Sequence, residues 1–244
     1  MRALLAFFTV LPIAAPGLPL EDAARKAYLL PLVGFVVGLP GAALLLLSYA
    51  MPSGVAATLA LGVVLLTAGL HHTDGVIDVG DALMVRGSPE RRREVLKDAR
   101  LGVGGIGALF VVYAPTLAAL VAFAEESPTR AALALLAGEV SARSGMLLTL
   151  SFGRPAEAGS SSVSFVQALK GSRKTVGVAL ALLAPLLLVM PLGSFAPLAI
   201  LSVPLTTLAA LWWSRRVFGG IGGDVVGATG EACRMMLLVI LSVT

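Results

Sequence analysis

The sequence predicts an all-α, polytopic integral membrane protein, a bundle of about seven membrane segments with an additional amino-terminal interfacial or re-entrant helix. The first observation is composition: of 244 residues, 57% are hydrophobic and only 13% are charged, and the mean hydropathy is +0.94. Soluble domains carry about 25% charged residues. The second observation is that apolar runs recur at close to the roughly 20 residues that a spanning helix needs. Residues 1–244 are therefore interpreted as a single membrane-embedded domain.

The predicted membrane segments alternate with short and long connections. The segments cover residues 28–50, 54–72, 101–124, 131–152, 175–193, 196–213 and 226–244. The long connections are 73–100, 153–174 and 214–225. If these connections and residues 21–27 are cytoplasmic, 14 of the 18 Lys and Arg residues lie inside, and Arg130 alone lies in an opposite connection. The positive-inside rule therefore predicts a multi-pass protein of the cell membrane whose long connections face the cytoplasm.

The amino-terminal stretch MRALLAFFTVLPIAAPG has some features of a signal peptide. Pro12 interrupts its apolar run and the amphipathic EDAARKAY follows, which favours an interfacial or re-entrant helix.

Cys233 is the only cysteine, so an intramolecular disulfide is excluded. The net charge of +4 does not indicate a nucleic-acid partner, because the basic residues lie between apolar spans, as in loops that face anionic lipid or phosphate.

The stretch LHHTDGVIDVGDAL, residues 70–83, places three carboxylates beside a membrane segment. On a helix, Asp74, Asp78 and Asp81 would lie on one face, within about 60° of one another. Like charges at this spacing repel, and a hard divalent cation would offset the repulsion. Magnesium is the natural candidate, because it prefers oxygen ligands and binds substrate phosphates. The alternative is a solvated acidic helix end.

Two histidines precede these aspartates. On a helix that already runs through residues 71–74, His71 would lie on the carboxylate face and His72 would point elsewhere. If the helix begins only near Asp74, as Gly75 suggests, that geometry does not apply. A lone histidine at a membrane edge is more often an interfacial hydrogen-bonding residue than a catalyst, so spacing alone assigns neither.

The stretch SPERRREVLKDARLGVGG, residues 88–105, predicts a short basic cytoplasmic helix with Ser88 as N-cap and Pro89 as its first residue. This helix would deliver Asp98 and Arg100 to the start of the next span. Asp98 is a third candidate metal ligand. Arg100 is a candidate phosphate ligand, because the guanidinium fork matches phosphate oxygens.

Ionisable residues also occur within apolar surroundings. Glu139 and Arg143, four residues apart, predict an intramembrane pair that is either functional or a helix-to-helix contact. The candidate substrate-binding residues are Arg143, Arg154, Lys170, Asp224 and Glu231. Clustered carboxylates, cations and glycine-rich helix ends at one membrane face suit a diphosphate or phosphodiester. The residues alone thus predict metal-dependent phosphoryl transfer at the cytoplasmic membrane surface.

Three blocks resemble the cobalamin synthase family, the adenosylcobinamide-GDP ribazoletransferases. HTDGVIDVGD, residues 72–81, is similar to the hallmark His-x-Asp-Gly-x-x-Asp-x-x-Asp. KDARLG, residues 97–102, resembles the block Lys-Asp-Ser-Arg-hydrophobic-Gly, and GGIGGDVVGA, residues 219–228, resembles Gly-Gly-x-Thr-Gly-Asp-x-x-Gly-Ala. The departures are Ala82, Gly222, Arg234 and a degenerate middle motif, GRPAEAGSSS, at residues 153–162.

The resemblance implies a reaction in which α-ribazole, or its 5′-phosphate, attacks the cobinamide-bound phosphorus of adenosylcobinamide-GDP and GMP leaves. It implies corrinoid nucleotide and ribazole substrates, Mg²⁺ as cofactor and a lipid bilayer as surroundings. It favours His72 as the general base, with an aspartate as the alternative. The expected metal ligands are Asp74, Asp78 and Asp98, and the expected catalytic residues are His72, Asp81 and Arg100. A second copy of the chain and other corrinoid-pathway enzymes remain open as partners.

Two other functions use similar residues. A CDP-alcohol phosphotransferase of lipid synthesis also holds metal and nucleotide with aspartates on a membrane helix, but its motif needs Asp-Gly-x-x-Ala-Arg, whereas Gly75 is followed by VID. A cation transporter would use the acids as an ion path. Its carboxylates should lie near the bilayer midplane, whereas three of these lie at the mouth of a loop.

Overall fold

The computed structural model describes residues 1–12, 19–98 and 100–243, and these residues form helices and no β-strand beyond one isolated bridge, Pro155 with Ile221. The α-helices are α1 (Arg2–Phe8), α2 (Leu20–Arg25), α3 (Leu30–Leu46), α4 (Ser53–Thr67), α5 (His71–Met84), α6 (Pro89–Val95), α7 (Val103–Glu126), α8 (Pro128–Phe152), α9 (Ser162–Ala168), α10 (Gly171–Val189), α11 (Ala196–Ala199), α12 (Ser202–Val217) and α13 (Gly223–Leu241). Short 3-10 turns extend α3 and α10.

Five of the described helical segments are long and apolar enough to cross a membrane. They are Ala27–Tyr49, Val103–Glu126, Pro128–Phe152, Gly171–Leu192 and Ala196–Val217. A sixth crossing would need α4 and α5 together, and this pair bends by 93° at its break. The predicted class, a polytopic helical membrane protein, is confirmed. The predicted count of about seven segments is not.

Two predicted segments account for the difference in number. The segment expected at 54–72 ends as a helix at Thr67, because Gly69 and Leu70 adopt left-handed φ angles of 77° and 60° and turn the chain. The 15 residues of α4 rise about 22 Å, short of the roughly 30 Å hydrocarbon core. The segment expected at 226–244 is α13, which carries three charged side chains: Asp224, Glu231 and Arg234.

The amino-terminal segment is helical only as far as Phe8, four residues before Pro12. Leu4 and Phe8 of α1 are buried against the bundle. Beyond the helix, the Val10 amide donates to the Thr67 carbonyl over 3.0 Å, which ties this segment to the end of α4. Residues 13–18 of the predicted interfacial or re-entrant region lie outside the described residues, and its placement at a membrane surface stays a prediction.

Helix α8 is the centre of the bundle and packs against α3, α7, α10, α12 and α13. It is buried along most of its length, including the charged residues Glu139 and Arg143. Glycine permits its closest approach to a neighbour: a Cβ at Gly34 of α3 would lie 2.4 Å from the Glu139 carbonyl oxygen. Small residues let membrane helices approach to backbone contact, which compensates for the weak hydrophobic driving force between helices in lipid.

The long charged connections meet one another at one end of the bundle. The Lys97 ammonium pairs with Glu157 over 2.9 Å, and Arg93 donates to the Phe218 carbonyl over 2.6 Å. At the other end the short connections meet, where Arg130 donates to the Leu192 carbonyl over 2.6 Å. The structure therefore groups the connections as the sequence predicted, at two ends of the bundle.

Helices α5 and α13 cross at two glycines. A Cβ at Gly75 would lie 2.8 Å from the Asp224 carbonyl oxygen, and one at Gly227 would lie 3.2 Å from the Cα of His72. The glycines thus hold the histidine and aspartates of α5 against the amino-terminal end of α13.

We expect Gly75→Ala to lower the free energy of unfolding by about 1–3 kcal/mol, because the new methyl group overpacks this crossing. The matched control is Gly62→Ala in α4, where a Cβ would meet nothing within 4 Å. The control should unfold at or above the wild-type temperature, since alanine is the better helix former. Thermal unfolding in detergent measures both variants. Equal midpoints would show that the crossing tolerates a side chain.

Candidate active site

Helix α5 begins at His71, earlier than expected from the sequence. Leu70 is its N-cap, in a left-handed conformation, and the Asp74 amide donates to the Leu70 carbonyl over 2.9 Å. The expectation that the helix begins only near Asp74 is therefore wrong. The spacing argument applies, and it places His71 on the face that carries the aspartates.

A cavity of about 380 Å³, the carboxylate cavity, lies where α5 meets a segment of which residues 96–98 and 100–101 are described. Its lining includes Asp74 and Asp78 from the helix, and Asp98 and Arg100 from the segment. The structure thus brings the three predicted metal ligands together with the predicted phosphate ligand. Ser88 caps the short basic helix α6 as predicted, accepting from the Arg91 amide.

Asp98 is held by Arg100. The Arg100 guanidinium donates to both oxygens of the carboxylate, over 3.0 and 2.7 Å, and its backbone amide donates over 3.1 Å. These hydrogen bonds from Arg100 lower the pKa of Asp98 below its ordinary value. Asp98 therefore stays ionised, but a cation would have to share it with Arg100.

Asp81 lies on the same helix but is turned towards α7. Its two oxygens accept from the amides of Gly102 and Gly105, over 2.7 and 2.8 Å. These amides are at the start of α7, where helical N–H groups lack internal partners. Asp81 therefore caps α7 from a neighbouring helix, and it is not among the residues that line the carboxylate cavity.

We expect Asp81→Ala to lower the free energy of unfolding by about 1–2 kcal/mol, the usual loss on removing a helix cap. Thermal unfolding in detergent measures this loss, and initial rates measured well below the transition report activity. Activity should fall less than on replacement of Asp74. A variant with an unchanged unfolding midpoint and no turnover would instead identify Asp81 as a group of the reacting site.

A second cavity of about 380 Å³, the histidine cavity, lies on the other side of Asp74. Its lining includes His71, His72, Asp74 and Asp224. His72 is buried, its ring centroid lies 6.1 Å from that of Phe8, and its Nδ1 has no hydrogen-bond partner within the described residues. Because both histidines line this cavity, the assignment of the general base to His72 stays a prediction.

A third cavity of about 370 Å³, the loop cavity, adjoins the other two through shared residues. It shares Asp224 with the histidine cavity and Lys97 with the carboxylate cavity. Sequence reasoning expected Asp224 among substrate ligands and did not single out Lys97 as a site residue. The KDARLG block was the signal that contained Lys97. Asp224 is one of five carboxylates that line these cavities, with Asp74, Asp78, Asp98 and Glu157.

A buried ionic cluster lies among α8, α13 and α7. Arg234 donates to Glu139 over 2.7 Å and also pairs with Glu231. The predicted pair of Glu139 and Arg143 is present but looser, at 3.9 Å. Among the described residues, no group accepts a hydrogen bond from the three guanidinium nitrogens of Arg143. A buried cation without hydrogen-bond acceptors is costly. Arg143 is therefore a candidate ligand for an anionic group or for water.

The other two candidate substrate ligands lie outside the three cavities. Arg154 and Lys170 are exposed and are not among the residues that line the three cavities. The Arg154 carbonyl accepts from the Ile221 amide over 2.8 Å, which fixes the loop to the start of α13. Sequence reasoning missed an apolar and hydroxyl wall of the histidine cavity: Phe7, Phe8, Met146, Leu150, Ser161, Ser162 and Phe165.

The donor chemistry of the carboxylate cavity fits magnesium. Among residues 1–12, 19–98 and 100–243, no three acidic, histidine or cysteine side chains form a ready-made metal site. Magnesium does not need one, since it keeps several waters and is usually bound by one or two carboxylates and the substrate phosphates. Asp74 and Asp78, which pair with no cation in the described part of the chain, fit that requirement.

Comparison with known proteins gives a consistent result. The chain matches the family described as cobalamin-5-phosphate synthase over residues 1–242. Proteins named adenosylcobinamide-GDP ribazoletransferase are similar over nearly the whole chain. One from Halorubrum lacusprofundi is 35% identical over 98% of this chain and 94% of its own. One from Azorhizobium caulinodans is 37% identical over 97% and 92%, and one from Methanococcoides burtonii is 29% identical over 100% and 91%.

No solved structure matches the chain. The family match covers all three blocks on which the resemblance was based, and neither a CDP-alcohol phosphotransferase nor a cation transporter is supported. The three blocks contribute residues to three adjoining cavities, and the match over residues 1–242 shows that the chain belongs to the cobalamin-5-phosphate synthase family.

Proposed function

We propose that the protein is an adenosylcobinamide-GDP ribazoletransferase. It joins adenosylcobinamide-GDP to α-ribazole, or to α-ribazole 5′-phosphate, giving adenosylcobalamin, or its 5′-phosphate, and GMP. The observation that carries the proposal is the meeting of carboxylates, Arg100 and a histidine in adjoining cavities of a chain whose relatives bear this name. A site for two large substrates needs adjoining cavities of this kind.

The carboxylate cavity is the proposed diphosphate site. Asp74 and Asp78 would hold Mg²⁺, and Asp98 would be available as a third ligand if Arg100 bound the substrate instead. When bound, the metal neutralises charge on the diphosphate and on departing GMP. Arg100 grips phosphate oxygens through its planar guanidinium, and Lys97 adds a cation at the border with the loop cavity.

The histidine cavity is the proposed ribazole site. Phe7, Phe8 and Phe165 offer an apolar wall for an aromatic base, and Ser161 and Ser162 offer hydroxyl groups to the ribose. A ribose hydroxyl that is free in both ribazole forms, and therefore not the 5′ one, forms the new bond to the cobinamide-bound phosphorus while the bond to the GMP oxygen breaks. The hydroxyl proton passes to the imidazole of His72, which is buried in this cavity and whose Nδ1 has no hydrogen-bond partner among the described residues.

We place the site at the cytoplasmic face of the cell membrane. The cavities lie at the end of the bundle where the long basic connections meet, and this distribution of charge supports a cytoplasmic location. Arg143, Asp224 and Glu231 are assigned to substrate binding or its support, and Arg154 and Lys170 to an outer basic surface. Association with a second copy, or with other enzymes that handle corrinoids, stays a prediction.

Cysteine labelling tests this orientation. In a Cys233→Ala background, Ala158→Cys should react with an impermeant maleimide only when the cytoplasmic face is open, and Glu125→Cys only from outside. Both positions are exposed, and neither side chain caps a helix. The reverse pattern of labelling would overturn the cytoplasmic placement.

The function itself is tested with purified protein and a panel of substrates. Adenosylcobinamide-GDP with α-ribazole should release GMP, whereas a CDP-alcohol with a lipid acceptor should release no CMP. Release of CMP without release of GMP would identify a phospholipid-type transferase. GMP release without ribazole would indicate a hydrolase and would contradict the proposed transfer.

A further inference from the structure

A larger cavity, separate from the three described above, opens between α1, α2 and α10. Its volume is about 900 Å³, and it shares no lining residue with the other three. We call it the amino-terminal cavity. Four basic side chains line it: Arg2, Arg25, Lys26 and Arg173. Asp22 is the one acidic residue in the lining, so the charge of these five side chains is four positive minus one negative, or +3.

These five side chains make no ion pair or hydrogen bond within residues 1–12, 19–98 and 100–243. Elsewhere at this end of the bundle, the described basic residues are often engaged: Arg93 and Lys97 pair with Glu157, and Arg100 with Asp98. Unpaired cations gathered around one concave surface repel one another and create a positive potential. An anion would relieve that repulsion.

The backbone adds to the positive potential. Ser172 and Arg173 belong to the first turn of α10, a helix of 19 residues with no side-chain cap. The amides of a first helical turn lack internal partners, and the helix dipole favours negative charge there. Arginine forks and free amides together match the oxygens of a phosphate group.

The position of the cavity indicates the source of that phosphate. Tyr28 and Val176, which also line it, lie within the first two turns of two candidate membrane spans, Ala27–Tyr49 and Gly171–Leu192. The cavity is therefore level with the point where the helices enter the hydrocarbon, which is the depth of lipid headgroups. Tyrosine is enriched at this level, and basic pockets between membrane helices bind anionic headgroups.

We propose that the amino-terminal cavity is a phosphate-binding site that holds the headgroup of an anionic phospholipid. Arg2, Arg25, Lys26 and Arg173 contact the phosphodiester oxygens, and the acyl chains lie along the spans beyond Tyr28 and Val176. The site is independent of the catalytic cavities. It does not depend on the proposed transferase activity.

Native mass spectrometry of the full-length protein in detergent, titrated with phosphatidylglycerol or phosphatidylcholine, tests the proposal. Wild type should bind phosphatidylglycerol about 10-fold or more tightly than phosphatidylcholine, since each basic residue near the headgroup contributes substantially. The double variant Arg25→Gln, Arg173→Gln should lose this preference. The matched control, Arg215→Gln with Arg216→Gln, removes the same charge outside the cavity and should keep it.

Three further measurements make the result decisive. Each variant should have the wild-type unfolding midpoint in phosphatidylcholine alone, which would exclude an altered fold as the cause of a lost preference. Arg173→Lys keeps the positive charge and should therefore keep part of the preference for phosphatidylglycerol. Glycerol phosphate and inorganic phosphate, at millimolar concentration, should displace little lipid. Equal preference in both double variants would overturn the site, and full displacement by soluble phosphate would overturn its assignment to lipid.

Discussion

Asp74→Asn and Asp78→Asn each reduce turnover by about 1,000-fold or more while the protein stays folded, because each removes a charge that holds the metal against the diphosphate. Both aspartates line the carboxylate cavity, and neither pairs with a cation within the described part of the chain. Burial, and then the negative charges of Asp74, Asp224 and Asp81, disfavour the ionised form of Asp78, so its neutralisation removes an unfavourable charge rather than breaking a bond. Folding should therefore survive.

The measurement is the initial rate of GMP release as magnesium is varied, together with thermal unfolding of each variant. Asp22→Asn is the matched control: the same substitution at an exposed position outside the three catalytic cavities, with an expected rate close to wild type. A variant at Asp74 or Asp78 that kept both the wild-type rate and its magnesium dependence would show that the metal assignment is wrong.

The second large effect is expected at His72. His72→Ala should lower turnover by at least about 100-fold, the low end for loss of a general base. The imidazole is buried in the histidine cavity beside Asp74 and lacks a partner at Nδ1 among the described residues. Because alanine also leaves a cavity against α13, His72→Gln is measured beside it to keep the site filled.

His71→Ala is the control for the adjacent position. It should cost much less, even though His71 lines the same cavity and lies on the face of the aspartates. A larger loss at His71 would reassign the base to the residue that helix geometry favoured. Mild losses at both positions would indicate that an aspartate takes the proton, and Asp224 would then be the first to test.

The sequence predicted best what depends on local pattern. The apolar runs were enough to predict the membrane class. The positions of the basic residues were enough to predict that the connections are grouped at two ends of the bundle. Ser88 and Pro89 predicted the start of α6 because capping is decided within one helical turn. The aspartate spacing in residues 74–81 was read correctly as one helix, since its period is a property of the backbone.

What sequence reasoning missed depends on contacts between distant residues. The end of α4 follows from left-handed Gly69 and Leu70, and a leucine there carries no local signal of a turn. Arg234 appeared only as a departure from the family block, but it pairs with both glutamates of the buried cluster, Glu139 and Glu231. Asp81 shares a helix with Asp74 yet caps α7, which spacing on one helix cannot reveal.

The most direct test of the account is the stoichiometry of transfer by the purified protein in lipid. Adenosylcobinamide-GDP, α-ribazole and magnesium are supplied, and GMP and the corrinoid product are quantified by mass spectrometry. The account predicts one completed corrinoid for each GMP released, none without ribazole, and loss of both products on chelation with recovery on adding magnesium. GMP released without a completed corrinoid, or an undiminished rate in excess chelator, would contradict it.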